Sequence, residues 1–305
     1  MRWLQPKPKH SSGTIRPSVI AGTWYPGTEQ GLARTVDGYL SQAARAPGTG
    51  DLVPGELLAL ISPHAGYAYS GQTAAYAYHQ LQGREVKTVV LLGPSHQAWV
   101  GDYATNDVDA YETPLGRVPL DQGFITALDK NLSLPRVQHD NEHSLEIQLP
   151  FLQRQLCNFQ LVPILMNAED PAAARRLANA LAEVIRQRSD EEGDHARNNR
   201  FGNHLLVASS DLHHIDSYDL VIRRDQPVVE AIAAYDLKAL TPLLMAPDCS
   251  VCGRMPILTV LHAAKNLGAD SVRVLHHTNS GDVSGQRGSG RYTVGYMSAA
   301  IYRSQ

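Results

Sequence analysis

Three histidine-bearing stretches carry most of the recognisable chemistry in this chain: Pro63-His64-Ala65-Gly66, Gly93-Pro94-Ser95-His96 and Ser209-Ser210-Asp211-Leu212-His213-His214. Each follows an apolar run that reads as a buried strand, and strand ends in an open α/β sheet are where crevices form. Imidazoles gathered there act either as ligands for iron, copper or zinc or as acid-base groups, so the pattern points to a redox-metal or hydrolytic site. Proline ends a strand by withholding an N–H, and glycine lets the chain turn or approach a ligand. For His64 or His96 alone, a capping or loop hydrogen bond is the plainer alternative. Asp211 can orient a histidine and raise its basicity. Adjacent side chains of an extended segment point apart, so only one of His213 and His214 is expected to enter a site. The alternative has Asp211 capping a turn and both histidines on the surface.

Two further groups belong with these. Glu142-His143-Ser144 opens what reads as a long amphipathic helix. Glu142 and His143 either contribute acid-base chemistry and supporting hydrogen bonds, or form an acidic first turn capped by Asn141 or Ser144. Cys252 stands where another helix is expected to begin. Helix N–H groups and Arg254 would favour its thiolate, which suits nucleophilic attack or a soft metal; a small buried side chain is the alternative. Cys249-Ser250-Val251-Cys252 has the spacing of a redox or metal pair, with Cys249 a candidate redox partner for Cys252.

The elements that must position these residues follow from hydrophobic periodicity. Apolar runs at 57–62, 86–92, 159–166 and 204–209 read as strands buried on both faces. Helical periods lie between them at 71–81, 144–156 and 171–187; in the second, Leu145, Leu149, Leu152 and Leu156 would share a face. One or two helices are expected over 228–244 and another over 254–267, with Ile257, Val260, Leu261 and Ala264 inward. Two strands, 271–276 and 292–301, close the chain around a Gly/Ser-rich turn. Strands alternating with helices imply crossovers and an α/β fold, with a central sheet that is mainly parallel or mixed. The charged stretch 189–203 reads as a surface loop.

Bulk properties set limits. The 305 residues suffice for one large domain, and 43% apolar content is ordinary for a globular chain. A net charge of -3 gives no electrostatic reason to bind nucleic acid or an anionic membrane. No apolar run approaches the roughly 20 residues needed to span a bilayer. The first residues lack the apolar core of a signal peptide, so residues 1–15 are expected to be a flexible leader and 16–303 a single domain. Three cysteines, Cys157, Cys249 and Cys252, make no secreted disulfide framework, and a cytoplasmic location is expected.

Taken together, Gly22-Thr23-Trp24-Tyr25-Pro26, Pro63-His64-Ala65-Gly66-Tyr67, Leu92-Gly93-Pro94-Ser95-His96, Glu142-His143-Ser144, Ser209-Ser210-Asp211 and Cys252-Gly253-Arg254 form an ordered set. With them the chain closely resembles the Memo family, also called the AmmeMemoRadiSam system protein B family, from about residue 16 to 302. The resemblance implies a fold similar to class III extradiol dioxygenases, whose active site uses non-haem Fe(II). It implies His64, His96 and Cys252 as metal ligands, His214 at the rim as the acid-base group, and Asp211 and His143 in the same pocket. Fe(II) is the implied metal, with Cu or Zn as alternatives. A thiolate in place of the dioxygenases' carboxylate favours softer metals, so ring cleavage does not follow from the fold. His213 stands where such pockets commonly carry cysteine; it either enlarges a proton-transfer network or faces away. Tyr67 and Tyr69 either line an aromatic pocket or pack, with packing preferred.

The leading functional expectation is a non-haem metal-binding protein performing Fe(II)- and O2-dependent chemistry on a small diol-like or related metabolite. His214 would then move a proton and His143 support the oxygen chemistry. A non-catalytic ligand-, peptide- or metal-binding regulator is the first alternative, and a Zn-dependent hydrolase the second. Expected partners are a small molecule and, from the genomic association that the family's longer name records, a radical SAM protein or an AMMECR1-like protein. A homodimer is also expected, but neither nucleic acid nor a membrane.

Overall fold

Strands that are apolar on both faces must be covered on both, and that requirement organises the molecule. The computed structural model describes residues 13–48, 50–138, 140–191, 201 and 203–304. Along the chain lie β1 (Ile15–Arg16), α1 (Glu29–Ala44), β2 (Glu56–Ser62), α2 (Tyr67–His79), β3 (Thr88–Pro94), β4 (Tyr103–Asn106), β5 (Ala110–Thr113), β6 (Gly116–Pro119), α3 (Gln122–Asn131) and β7 (Arg136–Val137). A short 3-10 turn, Glu146–Gln148, leads into α4 (Leu149–Gln155), β8 (Gln160–Met166), α5 (Pro171–Glu191) and β9 (His204–Ser209). The remainder is β10 (His214–Ser217), α6 (Tyr218–Ala233), α7 (Leu237–Leu244), α8 (Arg254–Asn266), β11 (Ser271–Asn279), α9 (Ser280–Ser284) and β12 (Ser289–Arg303).

The main sheet runs β10-β12-β2-β9-β3-β8-β4-β7, with β11 also paired to β12, and β1-β5-β6 form a small second sheet. Its centre is parallel and its flanks antiparallel, so the sheet is mixed: β2, β9, β3 and β8 run together, while β12 and β4 oppose them. From β2 to β3 the chain moves across the sheet in one direction, and from β8 to β9 it moves back. Right-handed crossovers therefore place α2 and α5 on opposite faces. The contacts agree, since α1 packs on α2 while α5 packs on α8. The expected inward residues of α8, Ile257, Val260, Leu261 and Ala264, are all fully buried.

Register matters most for the site. Ser62 of β2 pairs with Ser209 of β9, and Leu92 of β3 with Ala208, so the three parallel strands end together. The residues that follow them, His64, Asp211 and His96, are delivered to one edge.

One helix departs from its periodicity. The segment expected to be helical from Glu142–Ser144 onward makes only a 3-10 turn before α4. Pro150 has no N–H to bond the Glu146 carbonyl, which breaks the α-helical ladder there and tightens the preceding turn. Ser144 is meanwhile tied outward, its Oγ donating to the Pro94 carbonyl at 2.8 Å. Neither Asn141 nor Ser144 caps α4; the Glu142 carboxylate accepts the N–H groups of His143 and Ser144 instead.

Residues 1–12 of the expected leader lie outside the described residues, and the chain is already anchored at Thr14, whose N–H donates to Asp109, and at Ile15 in β1. Of the expected loop at 189–203, residues 189–191 end α5 and residues 192–200 and 202 lie outside the described residues. No described helix is long and apolar enough to cross a membrane.

Gly253 shows how tightly the segment before α8 meets β9. A Cβ there would come within 2.6 Å of the Ser209 carbonyl, whereas one at Gly38 in α1 would meet nothing within 4 Å. Gly253→Ala is therefore expected to cost about 1–3 kcal/mol through forced backbone shifts, while Gly38→Ala gains up to ~1 kcal/mol from helix propensity. Urea unfolding of the two variants checks the contrast, and equal midpoints would contradict it.

Candidate metal centre and its pocket

His64, two residues beyond β2, is held from three sides. Its N–H donates to Asp211 Oδ1 at 2.7 Å, its Nδ1 lies 3.1 Å from Ser209 Oγ, and its Nε2 lies 3.1 Å from Cys252 Sγ. The Ser209 hydroxyl donates to the Ser144 carbonyl and accepts from Gln148 Nε2. With its one proton committed, it can only accept from His64, so Nδ1 carries the imidazole hydrogen and Nε2 keeps its lone pair. Burial, and then the neighbouring His96 and His143, push the His64 pKa well below 6.5 and keep the ring neutral.

His96 is held in a comparable orientation by a carboxylate. Its Nδ1 lies 3.0 Å from Glu142 Oε1 and its own N–H also donates to that side chain. A carboxylate accepts only, so Nδ1 is again the donating nitrogen, and Nε2 is not engaged by Glu142. Burial opposes the charge on Glu142, but the bonds from His96 and from the Ser144 N–H outweigh it and hold the group at about 2.

Cys252, immediately before α8, completes the cluster. The donor atoms of His64, His96 and Cys252 all lie within 4.8 Å of one another. Two imidazole lone pairs and one sulfur, with both imidazoles held from behind, fit a transition metal. His96, Glu142 and His143 form a second group within the same spacing, but Glu142 is already committed to its hydrogen bonds. The expected lowering of the Cys252 pKa is not seen in the protein itself. Burial pushes the thiol up and the Asp211 charge adds to it; the N–H groups of Asp211 and Gly253 only partly offset them.

Asp211 and His214 form the neighbouring wall. Asp211 Oδ1 accepts from the N–H groups of His64 and Ala65. Burial raises its pKa to about 7 despite those bonds. His214 Nδ1 pairs with Tyr292 OH at 2.9 Å, and Nε2 sits 4.0 Å from Asp211 Oδ2. That Nε2 is buried with no hydrogen-bond partner among the described residues. Burial, and then the neighbouring His96, lower His214 to about 4. His143 stacks on His96 with ring centroids 4.7 Å apart and meets Trp24 at 4.3 Å.

His64, His96, His143, Asp211 and His214 line a cavity of about 630 Å³ together with Trp24, Tyr69, Tyr292 and Tyr296. Trp24 is brought there by buried Glu146, which accepts from Arg16 Nη1 at 2.9 Å, from Tyr25 OH at 2.6 Å and from Ser18 Oγ at 2.6 Å. The two tyrosines near His64 divide between the readings. Tyr67 is buried, donates to the Ile147 carbonyl and packs on Phe151, whereas Tyr69 faces the cavity. Only one of the adjacent histidines enters: His213 turns away, with its Nδ1 2.9 Å from Asp225 Oδ1.

All six expected site residues, His64, His96, His143, Asp211, His214 and Cys252, thus fall in one constellation. Sequence reasoning did not reach Ser209 and Gln148 as the pair that sets the His64 tautomer, nor Tyr292 and Asp225 as histidine partners. Gln148 sits in an apolar helical period that gives no sign of a buried amide. Trp24 stood in a quoted motif without a role.

Comparison with known proteins adds an independent line. A family described as "Memo-like protein" matches residues 16–300. Among relatives described as "MEMO1 family protein", one from Nitrosopumilus maritimus is 32% identical over 286 residues, covering 92% of this chain and 98% of its own. Another, from Thermotoga neapolitana, is 34% identical over 298 residues, covering 94% of this chain and 99% of its own.

The His213–Asp225 pair makes stability depend on pH. Burial opposes charge on His213, but Asp225, and then Cys249, raise its pKa from 6.5 to about 9. A raised folded pKa stabilises fully below 6.5, and the contribution is lost as pH rises through about 9. His213→Gln should therefore flatten the fall in urea-unfolding midpoint over that interval. Parallel pH profiles for the variant and the unaltered protein would show that the pair contributes nothing.

Proposed function

This chain belongs to the Memo-like family, and from that premise we propose that it is a metal-binding protein whose ligands are His64, His96 and Cys252. The observation that carries the reading is the convergence of one donor atom each from His64, His96 and Cys252, with both histidine rings held from behind by Ser209 and Glu142. Fe(II) is the proposed metal, with Cu or Zn as the alternatives the sulfur donor admits. When bound, Fe(II) would supply positive charge and open positions for oxygen ligands.

The finer proposal is oxygen-dependent chemistry on a small, oxygen-rich, ring-containing metabolite. Trp24, Tyr69, Tyr292 and Tyr296 offer aromatic surface to such a ring, and the histidines that share the cavity present polar atoms to it. Asp211, lifted by burial to about 7, can hold or release a proton near neutrality. His214, neutral there, directs Nε2 toward Asp211 Oδ2, so the two make a short proton path at the pocket wall. Tyr292 holds the other His214 nitrogen, and Trp24 with His143 closes the side behind His96.

Titration of reduced, anaerobically prepared protein should show near-stoichiometric Fe(II) binding that His64→Ala and Cys252→Ala each largely abolish. Glu142→Gln, which leaves the ligands in place, should weaken binding by roughly 10–100-fold. Unchanged binding in both ligand variants would sink the assigned centre. Oxygen uptake by the Fe(II) form across catechols and related metabolites then separates catalysis from the regulatory reading; ligand binding without uptake favours the latter.

A further inference from the structure

The cavity beside the metal centre adjoins a second, smaller one. Tyr69, Ser280 and Tyr292 line both, and the smaller chamber, of about 220 Å³, is completed by side chains that include Ser284, Gln286 and Arg291. Building on the ring-binding reading of the larger cavity, we propose that Arg291 is an anion subsite, and that the metabolite whose ring lies beside the metal carries a carboxylate arm held in this chamber.

Charge separates the two spaces. Among the described residues, the lining of the larger cavity includes one carboxylate, Asp211, and no lysine or arginine. An acid group placed there would meet no fixed cation of the protein. Arg291, on β12, supplies one next door. Arginine stays charged across physiological pH, and its planar fork matches the two oxygens of a carboxylate.

That guanidinium is also uncommitted. Its Nη1 makes one long hydrogen bond, to Gln286 Oε1 at 3.4 Å, and the side chain forms no ion pair among the described residues. Asp282, the sole acid after Asp270 in the sequence, is engaged elsewhere. Arg287 Nε lies 2.7 Å from its Oδ1, and Tyr218 OH and Asn279 Nδ2 each donate to it at 2.8 Å. The Tyr69 hydroxyl and Gln286 Nε2, which share the chamber with Arg291, have no hydrogen-bond partner among the described residues. Ser284 Oγ donates to the Ser280 carbonyl at 2.7 Å, and Tyr292 OH pairs with His214. A carboxylate in the chamber would therefore meet a guanidinium, a phenol and an amide N–H, with no acid in the lining to compete for them.

Tyr69 also lines a third chamber, of about 250 Å³, with Tyr39, Tyr67 and Val283. Those walls suit a neutral arm, and an acid entering there would face Asp282. The two side chambers thus select arms of opposite character, and the unpartnered cation assigns the acid to the one that holds Arg291.

A catechol bearing a carboxyethyl arm and its primary amide, of equal length but uncharged, are the probes. Each is titrated calorimetrically into the full chain, reduced and anaerobic, both freed of metal and loaded with Fe(II). The acid should bind about tenfold or more tighter than the amide. Arg291→Ala should bring that ratio near one, and Arg291→Lys, a point charge without the fork, should retain only part of it. Arg291 is exposed, so neither substitution disturbs the core. A ratio near one in the unaltered protein overturns the proposal, as does a ratio that survives Arg291→Ala, or failure of the acid to bind either form. Fe(II) titration of the unaltered protein is a separate readout. Fe(II) uptake with equal binding of acid and amide removes the subsite and keeps the metal centre; an acid preference in protein that takes up no Fe(II) does the reverse.

Discussion

The parallel register of β2, β9 and β3 is the constraint on which the rest depends. Ser62 lies opposite Ser209, and the ladder continues one step further through the Ser210 N–H and the Ser62 carbonyl. Because the strands stop at one level, three segments remote in sequence emerge at one sheet edge, where backbone geometry already brings His64 beside Asp211. A slip by one residue would turn the side chains of any of these strands to the opposite face. The strands are buried on both sides, so little but this pairing and the covering helices sets their position.

Around that edge, buried polar groups are satisfied in a chain that also sets protonation. Gln148 accepts from Ser62 and Tyr78 and donates to the Pro63 carbonyl and Ser209. Ser209 in turn fixes the His64 tautomer. A buried amide of this kind is costly if unpaired and directional when paired, so it carries information about the site that an apolar residue could not. Glu146 acts similarly for the segment that ends in Trp24, and Glu142 for His96. The two carboxylates are four residues apart, and they position Trp24 and His96, which meet through the His143 ring between them.

The segment from Asp211 to His214 serves two environments. Asp211 and His214 face the cavity and its histidines, while His213 faces Asp225, whose second oxygen lies near His277. Neighbouring imidazoles thus acquire opposite character: burial and nearby histidine keep His214 neutral, and a buried carboxylate keeps His213 charged. The residue type is the same, and only the partner differs.

Much of this was legible in the linear chain, for physical reasons that differ by residue. The runs at 57–62, 86–92, 159–166 and 204–209 all became central strands, because continuous apolar runs of that length are covered on both faces. The histidines after them marked the site because Pro63 and Gly93-Pro94 end strands where crevices form. The 144–156 helix was misjudged at its start, where apolar period outweighed the missing N–H of Pro150. The raised Cys252 thiol and the His213–Asp225 pairing were beyond local reasoning, since burial and charge partners come from residues far apart in sequence. By itself, the sequence determined the strands, the covering helices and the family, because periodicity and ordered motifs are local properties. Tertiary structure alone decided which nitrogen of each histidine is free and which way each ring turns, because those depend on single hydrogen bonds to Ser209, Glu142, Tyr292 and Asp225.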